Sequence, residues 1–115
     1  MSIPLNVSAQ VTLNGSGNGT VSLGPSLPGV NWQPSLVSVS VSPTSGTTVS
    51  QFRLYLGLPV QQNLIGGTYT GDINSSGLSV TLWPGMILTG VWSGGNPGAT
   101  AAMVLTGTQN VPSPR

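Results

Sequence analysis

Near the start of the chain, Ile3, Leu5, Val7, Ala9, Val11 and Leu13 are apolar, whereas Pro4, Asn6, Ser8, Gln10 and Thr12 between them are not. An extended backbone sends successive side chains to opposite faces, so this alternation predicts a strand with one face buried; a helix would scatter the same residues around its axis. Pro4 has no N–H to give a ladder and marks an edge strand or a strand start.

The same period recurs along the chain, separated by turn residues. The stretch NGSGNGT at 14–20 holds two Asn-Gly dipeptides and predicts a hairpin, with a short return strand at 20–23. Residues 24–34, GPSLPGVNWQP, carry three prolines and read as a long loop presenting Trp32. Strands are predicted at 36–41, through Val37, Val39 and Val41, and at 49–58, with Phe52, Leu54, Leu56 and Leu58 inward and Gln51, Arg53 and Tyr55 outward. A weaker strand at 64–70 leads into GDINSSG as a turn, and 78–83, 86–93 and 99–106 complete the series. This pattern predicts an all-β fold: an antiparallel β-sandwich of seven to eight strands, jelly-roll-like or Ig-like. Residues 1–108 form the single domain, and 109–115, QNVPSPR, an extended tail expected to lie across a neighbour.

Composition narrows the chemistry more than the fold. Charged residues make up 3% of the 115 residues, against about 25% in ordinary domains. There is no His, Cys or Lys, and the charged side chains are Arg53, Asp72 and Arg115. One acid cannot make a carboxylate pair, no imidazole is present to activate a nucleophile, and zinc has neither thiolate nor imidazole to bind. A lone Asp also falls short of the several carboxylates typical of calcium sites. No catalytic residue, metal site or cofactor is therefore expected. Two arginines cannot neutralise the phosphates of a nucleic-acid site. MSIPLNV lacks the charged and apolar regions of a signal peptide, and no apolar run nears the roughly 18 residues of a membrane span, so no membrane partner is expected.

The stretch LWPGMILTGVWSGGNPG at 82–98 holds two of the three tryptophans. If the chain doubles back at Pro84-Gly85, Leu78 faces Val91, Val80 faces Thr89 and Leu82 faces Ile87. A second fold-back at GGNPG carries that apolar face on to Ala101, Met103 and Leu105. The opposite face is then Trp83, Met86, Leu88, Gly90 and Trp92, with a trough at Gly90. Two roles remain open for Trp83 and Trp92: plugs at the ends of the core, or, with Met86 and Leu88, an assembly or ligand surface. Type II Pro-Gly turns suit two-residue hairpins poorly, and a segment arching between sheets would void this pairing.

Trp32, flanked by Asn31 and Gln33, reads either as a staple for its loop or as a sugar-stacking tip. Arg53 and Asp72 are an available ion pair or two separately solvated charges. Four Asn-X-Ser/Thr triplets, at Asn6, Asn14, Asn18 and Asn74, are expected by chance in a chain so rich in these residues.

The string TYTGDINSSGLSVTLWPGMILTGVWSGGNPGATAAMVLTGT at 68–108, about a third of the chain, resembles small β-sandwich structural proteins of tailed-bacteriophage virions. The likeness rests on SSGLSVTLWPG and on the corner GVWSGGNPGATA. It implies a non-enzymatic virion protein, with the major capsid protein or other virion proteins as partners and homo-oligomers as the working form. Within that family the expected role is capsid decoration or an accessory subunit; the alternative is a tail-tip or fibre-associated domain that binds host-surface glycans. Independently, a nearly uncharged surface lacks the usual electrostatic guard against association and suits life inside an assembly.

Overall fold

The computed structural model describes residues 2–42, 50–65, 69–70 and 73–112. Its strands are β1 Ser2–Thr12, β2 Gly19–Leu23, β3 Asn31–Ser42, β4 Gln51–Leu56, β5 Tyr69–Thr70, β6 Ile73–Gly77, β7 Leu88–Ser93 and β8 Thr100–Asn110. They form two antiparallel sheets, ordered β1-β8-β3-β6 and β2-β7-β4-β5, packed as a β-sandwich. First pairs with last, second with seventh, third with sixth, fourth with fifth. Such nesting is what results when one long antiparallel ribbon is folded over and rolled up. Of the two topologies open to the sequence it is the jelly roll, not the Ig-like arrangement.

β1 follows its alternation: the odd side chains from Ile3 to Leu13 are buried or half-buried and the even ones are exposed. The strand lies at the edge of its sheet, where Pro4 costs no ladder bond within the fold. In β3, Val37, Val39 and Val41 are buried, and in β4 Phe52 and Leu54 are buried while Gln51 and Arg53 are exposed; Tyr55, expected outward with them, is buried. Leu58 is not an inward strand residue; it stands exposed in the loop beyond β4.

Several local expectations are corrected. The turn at 14–18 does not close a hairpin, because β1 pairs with β8 and β2 with β7 across the sandwich. The asparagine still makes the corner: Asn14 Oδ1 accepts from the amides of Ser16 (2.9 Å) and Asn18 (3.0 Å). β3 begins at Asn31, so Trp32 belongs to a strand and not to a proline loop. Pro34 is tolerated there because the β3·β8 register shifts between Pro34 and Leu36. Gly107 sits opposite, and a Cβ on it would lie 2.7 Å from the Ser35 amide nitrogen. INSSG, expected in a turn, is strand β6. As an edge strand it is held by backbone pairing to β3, which asks little of its side chains.

The predicted hairpin of 78–93 does not form. Residues 78–82 run on beside β3, with Leu78 N donating to Ser35 O (2.9 Å) and Leu82 exchanging two hydrogen bonds with Trp32 (2.8 and 2.9 Å). Pro84-Gly85 then makes a turn closed by Met86 N to Trp83 O (2.9 Å), with Gly85 at φ 91°. Pro followed by a positive-φ glycine is the type II pattern. The chain therefore arches into the other sheet, and β7 pairs with β2 and β4 instead of with 78–83 or β8.

That crossing inverts the faces of β7. Leu88, Gly90 and Trp92 point into the core, Leu88 and Trp92 with no exposed surface. Phe52 and Trp92 meet with ring centroids 4.8 Å apart and planes tilted by 56°, a favoured aromatic geometry. The trough at Gly90 exists, but the ring that fills it is the chain's own: a Cβ there would lie 2.7 Å from Phe52 Cε1 and 2.9 Å from Met103 Sδ. Phe52 comes from one sheet and Met103 from the other, so Gly90 sets how closely the layers approach.

Gly90→Val is expected to force these groups apart and destabilise the fold by about 1–3 kcal/mol, the usual range for core overpacking. Urea unfolding followed by tryptophan fluorescence measures it, and an unchanged midpoint would contradict the packing described.

Candidate functional site

The strand order gathers the connections into two opposite groups. β2 ends at Leu23, paired with Leu88 at the start of β7, which pairs with Leu56 at the end of β4. The loops 24–30, 57–65 and 78–87 therefore emerge at one end of the sandwich. They are tied together by backbone: Gly85 N donates to Pro25 O (3.1 Å), and Gly57 N to Ile87 O (2.9 Å). Thr89 Oγ1 donates to Gly57 O (2.6 Å), anchoring the 57–65 loop to β7.

This end is apolar. Leu27 is 66% exposed, Leu58 69% and Trp83 57%, and Val60 and Ile87 are exposed on the same three loops. Ile65 is exposed where its loop returns beside β4. Among the described residues only one further large hydrophobic is exposed, Leu36 on β3. Isolated apolar side chains on a surface need no explanation, but their collection on one set of loops does. A cleft of about 280 Å³ opens between them, lined by Leu56, Gly57, Gly85, Met86 and Ile87.

Among the described residues, the corners at the opposite end, 13–18 and 94–99, are rich in Asn and Gly. Gly95 N donates to Gly17 O (2.9 Å), Gly94 N to Asn18 Oδ1 (3.1 Å) and Gly98 N to Leu13 O (2.9 Å). These corners spend their polar groups on one another.

Against the sequence-based assignment of an assembly or ligand surface, the residues divide. Trp83 is exposed and Met86, half-buried, lines the apolar cleft. Trp32, Leu88 and Trp92 are core residues, which corrects their placement on a surface. Trp32 fails as a sugar-stacking tip because its backbone is paired to Leu82 and its ring is buried. Ile87 and Val91, expected in the core, are exposed and half-buried, while Leu82 is fully buried as expected. Arg53 is exposed on β4, and Asp72, its suggested partner, lies outside the described residues. Sequence reasoning missed Leu27 and Val60, apolar residues amid Pro and Gly that no strand pattern accounts for, and misplaced Leu58, which it read as the inward end of the 49–58 strand.

A second cleft, of about 360 Å³, lies along the β3 bulge and is lined by Gln33, Pro34, Ser35, Leu78, Ser79, Val80, Thr81 and Thr108. Its polar lining consists of hydroxyls and one amide, with no charge. Among the described residues no group of three or more His, Cys, Asp or Glu is gathered, and no helix is long and apolar enough to cross a membrane.

The contrast between the tryptophans is measurable. Trp83→Ala is expected to change stability by no more than about 0.5 kcal/mol, as at other exposed sites, whereas Trp92→Ala should cost about 3–5 kcal/mol. Acrylamide quenching should lose its readily quenched component in the Trp83 variant; equal quenching in both proteins would place Trp83 in the interior.

Comparison with protein-family models, curated proteins and solved structures found no match for this chain.

Proposed function

We propose that this chain is a non-enzymatic structural protein of a phage virion, a capsid decoration or accessory subunit made in the host cytoplasm and carried on the particle. The observation that carries this reading is the apolar end of the sandwich. Trp83, Leu27, Leu58 and Ile87 are held on short, mutually bonded loops, so their surface is pre-organised and little ordering entropy is lost when a partner covers it. A large exposed aromatic amid aliphatic side chains is the composition of an interface centre.

Three further points support it. With 3% charged residues the surface offers little electrostatic repulsion to the major capsid protein, to other virion proteins or to neighbouring copies. The jelly roll is a recurrent architecture of viral capsid domains, a fold-level analogy that agrees with the resemblance of residues 68–108. Chemistry in the usual sense lacks reagents: the whole chain has one acid, no His and no Cys.

A tail-tip or fibre-associated role in binding host-surface glycans is the second reading, favoured by the neutral cleft at Gln33, Ser35, Ser79, Thr81 and Thr108. Hydroxyls and amides can both donate to and accept from sugar hydroxyls without desolvating a charge.

Immunogold labelling of particles released from cells that express the genome carrying this sequence tests both. Label distributed over the heads is the expected result, label confined to the tail tip would support glycan recognition, and particles without label would overturn the virion assignment. On decorated heads, Trp83→Ala should raise the apparent Kd by about thirtyfold, corresponding to an interface residue worth about 2 kcal/mol.

A further inference from the structure

We propose that the outer edge of β1 pairs with β1 of a second copy of this chain, joining two sandwiches through one continuous antiparallel sheet. The inference rests on backbone geometry and stands apart from the virion reading.

Each sheet has two edge strands. β2 and β6 have five residues each and β5 has two, whereas β1 has eleven. Natural sandwiches blunt their edges with short strands, bulges, prolines or charges, above all lysine. β1 is long, pairs with β8 in unbroken register, and contains no charged residue. Its one guard is Pro4, near the start.

The ladder shows which backbone groups are left over. Leu13 N donates to Ala99 O (2.8 Å), in the register that continues through Val11↔Ala101 and Ala9↔Met103. Odd-numbered residues therefore bond β8, and even-numbered ones turn both N–H and C=O away from it. Pro4 fits this phase, since its missing N–H falls on the outer side, and its carbonyl accepts from Gln109 Nε2 (3.2 Å). The open stretch is thus 6–12, with Asn6, Ser8, Gln10 and Thr12 presenting donors and acceptors.

A second copy satisfies that stretch symmetrically. With a two-fold axis at Ala9, Asn6 faces the partner's Thr12 and Ser8 the partner's Gln10, each pair exchanging two hydrogen bonds. Val7 then faces the partner's Val11, and Ala9 faces its own equivalent. The polar residues meet on the exposed face, and the half-buried Val7, Ala9 and Val11 meet on the apolar one. Ala9 at the axis is small enough for the close approach of a non-hydrogen-bonded pair. No charges of like sign are brought together: Arg53, the one charged side chain among the described residues, is on β4 in the other sheet.

Sedimentation velocity over a concentration series, with amide exchange read residue by residue by NMR, tests the proposal on the full chain. A reversible dimer is expected, in which the amides of Asn6, Ser8, Gln10 and Thr12 exchange about a hundredfold more slowly than in the dilute monomer. Ser8→Pro, and separately Ser8→Lys with Gln10→Lys, should sediment as monomers while retaining the thermal transition, because neither removes an intramolecular ladder bond; Trp83→Ala should leave the dimer intact. A chain that stays monomeric at millimolar concentration overturns the proposal. So does a dimer in which those four amides exchange as freely as in the monomer.

Discussion

The approach of the two sheets turns on one missing side chain. Gly90 leaves the space in which Phe52 lies across β7, beside Trp92 in its own sheet and opposite Met103 of the facing sheet. A protein of this size with one phenylalanine and three tryptophans has few large groups with which to fill a core. Packing two of them at a tilted contact over a glycine concentrates apolar area between the layers. Aliphatic residues such as Leu54, Leu88, Ala101 and Leu105 extend the same interior along the sandwich. Because interiors are packed to near-crystalline density, the separation set at Gly90 constrains every strand that shares those sheets.

Around that core the rolled ribbon produces two unlike ends. At one, asparagine side chains and glycine amides close on each other, so the corners are internally satisfied. At the other, the backbone is equally well bonded but the side chains it presents are Leu27, Leu58, Trp83 and Ile87. In a chain with hardly any charge these differences are the main source of surface character. The apolar end and the uncharged edge of β1 are independent consequences of the same composition: one offers side chains to a partner, the other offers backbone.

The parts of this structure that depend on single segments were legible in the sequence. Alternation from Ile3 to Leu13 located β1 and its buried face, Pro4 marked it as an edge, Val37 to Val41 located the middle of β3, and Phe52 and Leu54 the inward side of β4. These readings hold because side-chain direction along a strand is a local property with a period of two. INSSG failed as a turn since an edge strand is held by its neighbour's backbone, and Trp32 failed as a loop residue since a bulge at Pro34 lets the strand continue past it.

Strand partnership was settled by long-range contacts. Reading 78–93 as a hairpin assumed that adjacent segments pair, whereas in a rolled ribbon nearly every connection crosses between sheets and the ladders join strands far apart in the chain. That single difference moved Leu88 and Trp92 from surface to core and Ile87 and Val91 out of it, because a segment passing to the facing sheet meets the core from the other side. Trp83 stayed outside, held at the turn where the crossing is made. Local alternation is enough for a nearly uncharged β-sandwich and most of its inward faces; which tryptophans are core follows from the fold, since burial across a sandwich depends on contacts between residues that no local pattern connects.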